Sequence, residues 1–265
     1  MPEGHTTHRY ARLHHAAFAG QPVRCDSPQG RFGDADQLDG HRLDRVEAYG
    51  KHLAYRFAHG VLLHVHLGLF GRFRRYPVSR AARPTDATRL RLRGERAEVH
   101  LSGPTACELF DHDDWAALLA RLGPDPLRGD ANADAAWAAL QRRRSPIGQA
   151  LLDQAVIAGV GNVYRAEVLF RAGIAPSRPA AQLSRDEFDA LWADLVVLLR
   201  QGERSGRIVT VEPHEVGVSS PAQIPDDARV YVYRRAGEPC RRCGTAIVSW
   251  PLGGRTVSAC PSCQQ

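Results

Sequence analysis

Methionine is almost absent from this chain: Met1 is the only one in 265 residues. Cysteine is scarce until late, with Cys25 and Cys107 alone before Cys240. That excludes an extracellular disulfide scaffold, which spreads its pairs through the sequence. No apolar run approaches the ~18 residues of a membrane-spanning helix. The start has no basic stretch followed by an apolar one, so it does not read as a secretory signal and a cytoplasmic or nucleoid-associated protein is expected. No long internal repeat is present, which sets aside solenoids.

What remains is an ordinary globular composition, 43% hydrophobic and 24% charged, long enough for two domains. Basic residues outnumber acidic ones 35 to 29, a formal charge of +6. Such a balance suits a polyanionic partner without establishing one, since alanine, arginine and glycine are abundant throughout.

Four of the six cysteines crowd the end, in CRRCGTAIVSWPLGGRTVSACPSC. Two short Cys-x2-Cys hooks joined by a hairpin can bring the thiolates of Cys240, Cys243, Cys260 and Cys263 into a tetrahedron. An all-sulfur set favours one zinc ion (Zn2+) over harder cations. With every position filled no water can be activated, so the metal is structural and folds a hairpin that lacks a core of its own. Reduced, unligated cysteines are the plainer alternative, and the pairing at both ends weighs against it.

Tyr10, Leu13, Ala17 and Phe18 recur at helical spacing, which predicts a helix from Thr7 to Phe18 capped by Thr6 and closed by Gly20. RLDRVEAYG, HLAYRFAHG, VLLHVHLGLFGRFRRY and TRLRLRG alternate in part between glycines, predicting an antiparallel sheet domain to about residue 112. Helical signals then dominate. A helix from Asp114 to Arg121 precedes the breaker GPDPL, and DANADAAWAALQRRR holds another. SPIGQALLDQAVIAG reads as one helix with Ser145 as N-cap and Pro146 in its first position. GVGNVYRAEVLFRAG and the amphipathic SRDEFDALWADLVVLLRQG complete the set, and Glu212 to Asp227 reads as a loop. In the turn AGVGN, glycines permit close backbone approach, and Asn162 can cap the next helix or donate to a phosphate. A compact helix hairpin without a ligand explains the same turn.

Four segments occur in one order: PEG at the start, LGPDPL, SPIGQALLDQAVIAGVGNVYRAE, and the terminal CxxC followed by GRTVSACPSCQ. On these the chain resembles the formamidopyrimidine-DNA glycosylase and endonuclease VIII family of DNA-repair enzymes. The resemblance implies an α+β fold. Residues 1–122 would form an N-terminal antiparallel β-sandwich with flanking helices, 123–229 a helix–two-turn–helix DNA-binding domain, and 230–265 a zinc-finger β-hairpin. It also implies a monomer whose partner is double-stranded DNA with an oxidised base or an abasic site, held between domains. Matched by position, Pro2 is the nucleophile, Glu3 the general acid of base removal, and Lys51 a grip on phosphates around the lesion. Asn162 and Arg255 become phosphate contacts. Without the resemblance, Lys51 is simply a hairpin residue, while Arg255, near the middle of the cysteine hairpin, either reaches a phosphate or a base or is a solvated arginine.

SGPTACELF lacks the arginine-plus-phenylalanine pattern that the formamidopyrimidine branch feeds into the duplex, so the chain is more similar to the endonuclease VIII branch, its actinobacterial members above all. The wedge that fills the gap left by an extruded base then comes from HLGLFG. Leu69 and Phe70 are its candidates, and Gly68 stands where a bulkier residue is common. Read locally, a Leu-Phe pair in a strand is core. At the start, PEGHT replaces the more usual PEGPE or PELPE.

The chemistry suits an amino-terminal proline. An α-amine titrates near pH ~7.7–8.0, so a neutral, nucleophilic fraction exists at physiological pH. While Met1 is attached, however, the Pro2 nitrogen is an amide, so the scheme expects Met1 to be removed. Oxidised pyrimidines are the expected substrates. The alternatives are the same mechanism on oxidised purines, or a zinc-containing protein that recognises damaged DNA without catalysis.

Overall fold

Alternation in the first half of the chain and helical periodicity in the second produce two kinds of structure. In a computed structural model, whose description covers residues 2–265, the elements are α1 (Gly4–Phe18), β1 (Arg24–Asp26), β2 (Leu43–Tyr49), β3 (His52–Phe57), β4 (Leu62–His66), β5 (Arg72–Pro77), β6 (Thr88–Arg93), β7 (Ala97–Ser102), β8 (Ala106–Phe110), α2 (His112–Leu119), α3 (Ala133–Gln141), α4 (Ile147–Ala150), α5 (Asn162–Arg171), α6 (Arg185–Ser205), β9 (Val248–Leu252) and β10 (Arg255–Ala259). The expected loss of Met1 concerns a residue outside those described. One compact unit ends at Arg121 and the other runs from Leu122 to Gln265.

In the first unit two antiparallel four-stranded sheets, ordered β1-β6-β7-β5 and β2-β3-β4-β8, make a β-sandwich. Leu90, Leu92, Val99 and Leu101 of one sheet share a core with Leu53, Tyr55, Leu63 and Val65 of the other, as alternating inward positions require. Helix α1 lies against β2 and β3. It starts at Gly4, earlier than Thr6 as a cap would allow, because the Glu3 carbonyl already accepts from the Thr6 and Thr7 amides at 2.9 and 3.3 Å.

The second unit is helical around Leu140, Ile157, Tyr164, Phe188, Leu191 and Leu195, all buried. A capping box between Ser184 and Glu187 starts α6, and Gly206 ends it in the left-handed region. The single helix expected over 145–159 is not formed: only Ile147–Ala150 is helical. The Gln154 side chain replaces the ladder, donating to the Leu152 and Val160 carbonyls and accepting from the Gly159 amide. The segment thus folds as two tight turns, and the Gly123 amide and the Pro124 carbonyl bond to it. Strands β9 and β10 form the terminal hairpin. Among the described residues no helix is long and apolar enough to cross a membrane.

Candidate functional site

In the first unit, Pro2 is half-buried and Glu3 is wholly buried. Glu3 occupies the N-cap position of α1, yet its carboxylate makes no capping bond to the helix amides. The carboxyl group therefore sits at the positive end of the helix dipole, where anionic charge is favoured, without capping α1. His5 is also buried, its Nε2 3.0 Å from the Thr6 hydroxyl. Burial, reinforced by the nearby Arg9 guanidinium, lowers its pKa to about 3. His5 is neutral at physiological pH and adds no positive charge beside Glu3.

Lys51, the only lysine in the chain, is half-buried in the tight turn where Tyr49 pairs with His52. Next to it the sheet gathers three imidazoles that sequence reasoning missed. His52 Nδ1 is 2.9 Å from His64 Nε2, and His64 Nδ1 is 2.9 Å from Glu108 Oε1. The His66 ring lies 4.8 Å from that of His52. Burial, then the neighbouring histidines, Lys51 and Arg121, lower His52 to about 3. Burial also lowers His64 and His66. All three imidazoles are thereby biased to the neutral form. The available signal was the pattern HVH on one strand, which puts two histidines on one face.

The turn after β4 decides only whether Leu69 and Phe70 are core or surface. They are 47% and 82% exposed, so neither is core. Gly68 has φ +64, and a Cβ there would meet the Thr105 hydroxyl at 1.8 Å. A bulkier residue at this position has neither the backbone conformation nor the room.

In the second unit, Gly161 rather than Asn162 is the N-cap of α5. Asn162 is the first helical residue, and its amide reaches across to donate to the Thr256 carbonyl at 3.0 Å. Its oxygen accepts from Arg165. Arg165 is completely buried and fans out to the carbonyls of Gly148, Leu252 and Thr256 at 3.1, 3.2 and 3.1 Å. Sequence reasoning missed it. One permanently charged side chain thereby ties the turn, α5 and the hairpin carrying exposed Arg255 at the start of β10.

Glu167, also wholly buried, accepts from three successive amides, Tyr231, Val232 and Tyr233, at 2.7–2.9 Å, and from the Thr210 hydroxyl at 2.5 Å. Beyond it the four terminal cysteines converge, with all four Sγ atoms within 4.8 Å of one another. Cys240 and Cys263 are 3.9 Å apart, and Cys243 and Cys260 3.4 Å. A tetrahedron of Zn–S bonds of ~2.3 Å has S–S edges of about 3.8 Å. The residues fit one structural zinc. Hydrogen bonds from Thr245 lower the Cys243 thiol to about 6, while burial raises Cys260 and Cys263. Zinc would hold all four as thiolates. Cys240, Cys260 and Cys263 share a small core with Phe170, Ile247 and Tyr231, while Cys243 is exposed.

Two family models match the chain: the formamidopyrimidine-DNA glycosylase N-terminal domain over residues 1–106 and the formamidopyrimidine-DNA glycosylase H2TH domain over 122–212. A protein of Mycobacterium tuberculosis named endonuclease 8 1 is 52% identical, with 100% of both chains covered. A formamidopyrimidine-DNA glycosylase of Thermomicrobium roseum is 35% identical over 84% of this chain and 82% of its own. Among solved structures, a Lactococcus lactis Fpg in complex with abasic-site DNA superposes with a TM-score of 0.81 at 22% identity, covering 99% of each chain.

Proposed function

Because the chain belongs to the formamidopyrimidine-DNA glycosylase and endonuclease VIII family, we propose that Pro2 and Glu3 are the groups through which it removes oxidised pyrimidines. The chain is a DNA glycosylase and abasic-site lyase. One observation carries the assignment of roles. A wholly buried carboxylate stands directly beside an amino-terminal proline, on a helix packed onto the sandwich and unused by that helix as a cap.

Once Met1 is gone, the Pro2 secondary amine attacks C1′ of the damaged nucleoside and the N-glycosidic bond breaks. Glu3 delivers a proton to the ring oxygen as the C1′–O4′ bond opens. The product is a cationic iminium. A secondary amine leaves it no N–H to lose, so the charge persists and draws electrons as the C2′ proton departs. The C3′–O bond then breaks and the 3′ phosphate leaves. Loss of a further proton and of the 5′ phosphate opens a one-nucleotide gap, and water releases Pro2 from the sugar fragment.

In this reading residues 1–122 carry the reacting groups, 123–229 the phosphate-holding turn and 230–265 the zinc hairpin. Lys51, Asn162 and Arg255 hold phosphates, and Leu69 and Phe70 fill the space left by the extruded base. Their exposure supports that use, since apolar side chains kept in solvent gain nothing for folding. The full-length likeness to a protein named endonuclease 8 1 agrees with the endonuclease VIII branch, for which the sequence resemblance implies oxidised pyrimidines as substrates.

Borohydride trapping is the test. With Met1 removed, the chain has only two amines, Pro2 and Lys51. Mature protein is expected to form an adduct at Pro2 on DNA containing an abasic site or thymine glycol, and Lys51→Arg should keep it. An adduct that maps to Lys51, or none from an intact amino terminus, refutes the mechanism. Glu3→Gln should impair base removal more than cleavage at a preformed abasic site; equal loss would contradict its role. Faster release of 8-oxoguanine than of thymine glycol would reassign the substrate to purines.

A further inference from the structure

Helix α6 has two faces that differ in kind. Phe188, Leu191, Leu195, Leu198 and Gly202 recur every three or four residues and are buried, so they seat the helix on the core of the second unit. Val197 falls outside that pattern and is 59% exposed. Arg200, Gln201 and Arg204 follow it at helical spacing, so the four side chains form one stripe on the face opposite the core. A lone exposed valine is ordinary on a protein surface. Here it borders a groove.

The groove has a volume of about 630 Å³ and lies wholly within the second unit, its lining completed by Arg207, Val209, Pro221 and Ala222. Hydrogen bonds hold that other side in place. Arg207 donates to the carbonyls of Ala222 and Ile224 at 3.3 and 2.8 Å and to Asp226 at 2.8 Å. The Ser205 hydroxyl donates to the Gln201 and Arg207 carbonyls at 2.8 and 3.0 Å, tying the end of α6 to the segment that follows it. Three of the lining side chains are guanidinium groups and none is a carboxylate. Asp226 answers the charge of Arg207, whereas Arg200 makes no ion pair among the described residues. The groove thus combines a valine, a proline and an alanine exposed to solvent with a positive field that lacks its counter-charge.

We infer that this groove docks an extended acidic segment of a protein partner, whose carboxylates meet Arg200 and Arg204 while one apolar side chain between them packs on Val197, Pro221 and Ala222. The spacing fits such an occupant. Arg200 and Arg204 stand one turn apart, about 6 Å along the helix axis. Alternate residues of an extended chain are separated by about 6.7 Å and point the same way, and the residue between them points to the other side. An acid–apolar–acid sequence therefore offers both kinds of contact at once. A run of DNA phosphates meets the arginines equally well but has nothing to set against the apolar side chains. Those side chains decide in favour of a peptide. Arginine suits the task because its planar fork pairs with carboxylates and its weakly hydrated face tolerates apolar neighbours.

The test is calorimetric titration of the full-length, zinc-loaded protein with the blocked peptide Ser-Glu-Asp-Leu-Asp-Glu-Ser. Two control peptides accompany it, one with amides replacing the acids and one with serine replacing the leucine. The acidic peptide should bind with a dissociation constant on the order of 10–100 μM at low salt and weaken as salt is raised. Both controls should bind at least about fivefold more weakly. Arg200→Glu should weaken the acidic peptide about tenfold and Val197→Ser about threefold. Both residues are exposed, so melting temperatures and zinc content should match the parent; Arg200→Gln, expected to lose about threefold, repeats the measurement without a reversed charge. Affinity for undamaged duplex and cleavage at a preformed abasic site should change by less than about twofold in all three variants. Absence of peptide binding overturns the proposal, as does binding that none of the substitutions weakens. Equal binding of the serine control would reduce the groove to a general anion patch. A loss of duplex affinity in Arg200→Glu as large as the loss of peptide affinity would make the arginine a phosphate contact, and either result rejects the peptide site.

Discussion

Helix α1 follows directly on Pro2 and Glu3, the groups proposed to react, and its anchor to the sandwich should be sensitive to acid. His14 is buried against Phe73, Phe18 and Tyr10, with Nδ1 joined to the Tyr55 hydroxyl at 2.6 Å. Burial first, then the charge of Arg75, lowers its pKa from 6.5 to about 3. The sign follows from proton binding: between these values the unfolded chain holds a proton that the native state refuses, so stability falls as pH falls. It is fully present above pH 6.5 and is lost progressively toward 3. From pH ~7.5 to ~5.0 this one residue costs about 2 kcal/mol, at about 1.4 kcal/mol per unit within the window. The perturbation is His14→Phe with Tyr55→Phe, which replaces both partners by apolar groups of similar shape and is expected to be nearly neutral at pH ~7.5. Urea titrations read through hydrogen-exchange protection of α1 at the two pH values give the difference. The double variant should lose about 2 kcal/mol less than the parent on acidification. An identical acid sensitivity in both proteins would refute the reasoning.

Phe70→Ala should leave stability within about 0.5 kcal/mol, because the ring is 82% exposed. Excision from duplex DNA should nonetheless fall, and single-turnover rates beside a thermal melt check both halves. Gly68→Ala should destabilise the first unit by about 1–2 kcal/mol through its left-handed backbone and the 1.8 Å clash with Thr105; Thr105→Ala in the same chain should recover part of that loss, measured by chemical denaturation. Cys240→Ser should lower bound zinc, read by metal analysis, and expose the core shared with Phe170 and Tyr231. Full zinc occupancy in that variant would contradict the four-cysteine site.

How much was legible depends on the range of the forces involved. Helix α6 could be read because its cap, periodic apolar face and terminal glycine lie within one stretch of chain. The sandwich strands could be read from local alternation, and the zinc site from spacing alone, since two short hooks restrict where four sulfurs can go. The segment 145–159 misled because its helical composition competes with a single side chain, Gln154, that satisfies the backbone from outside the ladder. Asn162 looked like a cap for the same reason: the sequence does not show that the Thr256 carbonyl comes within reach of its amide. Leu69 and Phe70 needed the fold to tell core from surface.

By itself the sequence determined most of the elements outside 145–159, which metal the tail selects, and that an acid stands next to a proline at the amino terminus. These are matters of neighbours along the chain. Only the tertiary structure decided that Glu3 is desolvated, that Arg165 ties the turn to the hairpin, that His52, His64 and His66 gather next to the turn holding the one lysine, and that two arginines of the first cysteine hook bond to the 212–227 loop and its flank. Burial and hydrogen bonding between distant segments exist only once the chain has folded, and those contacts determine which side chains are placed to act.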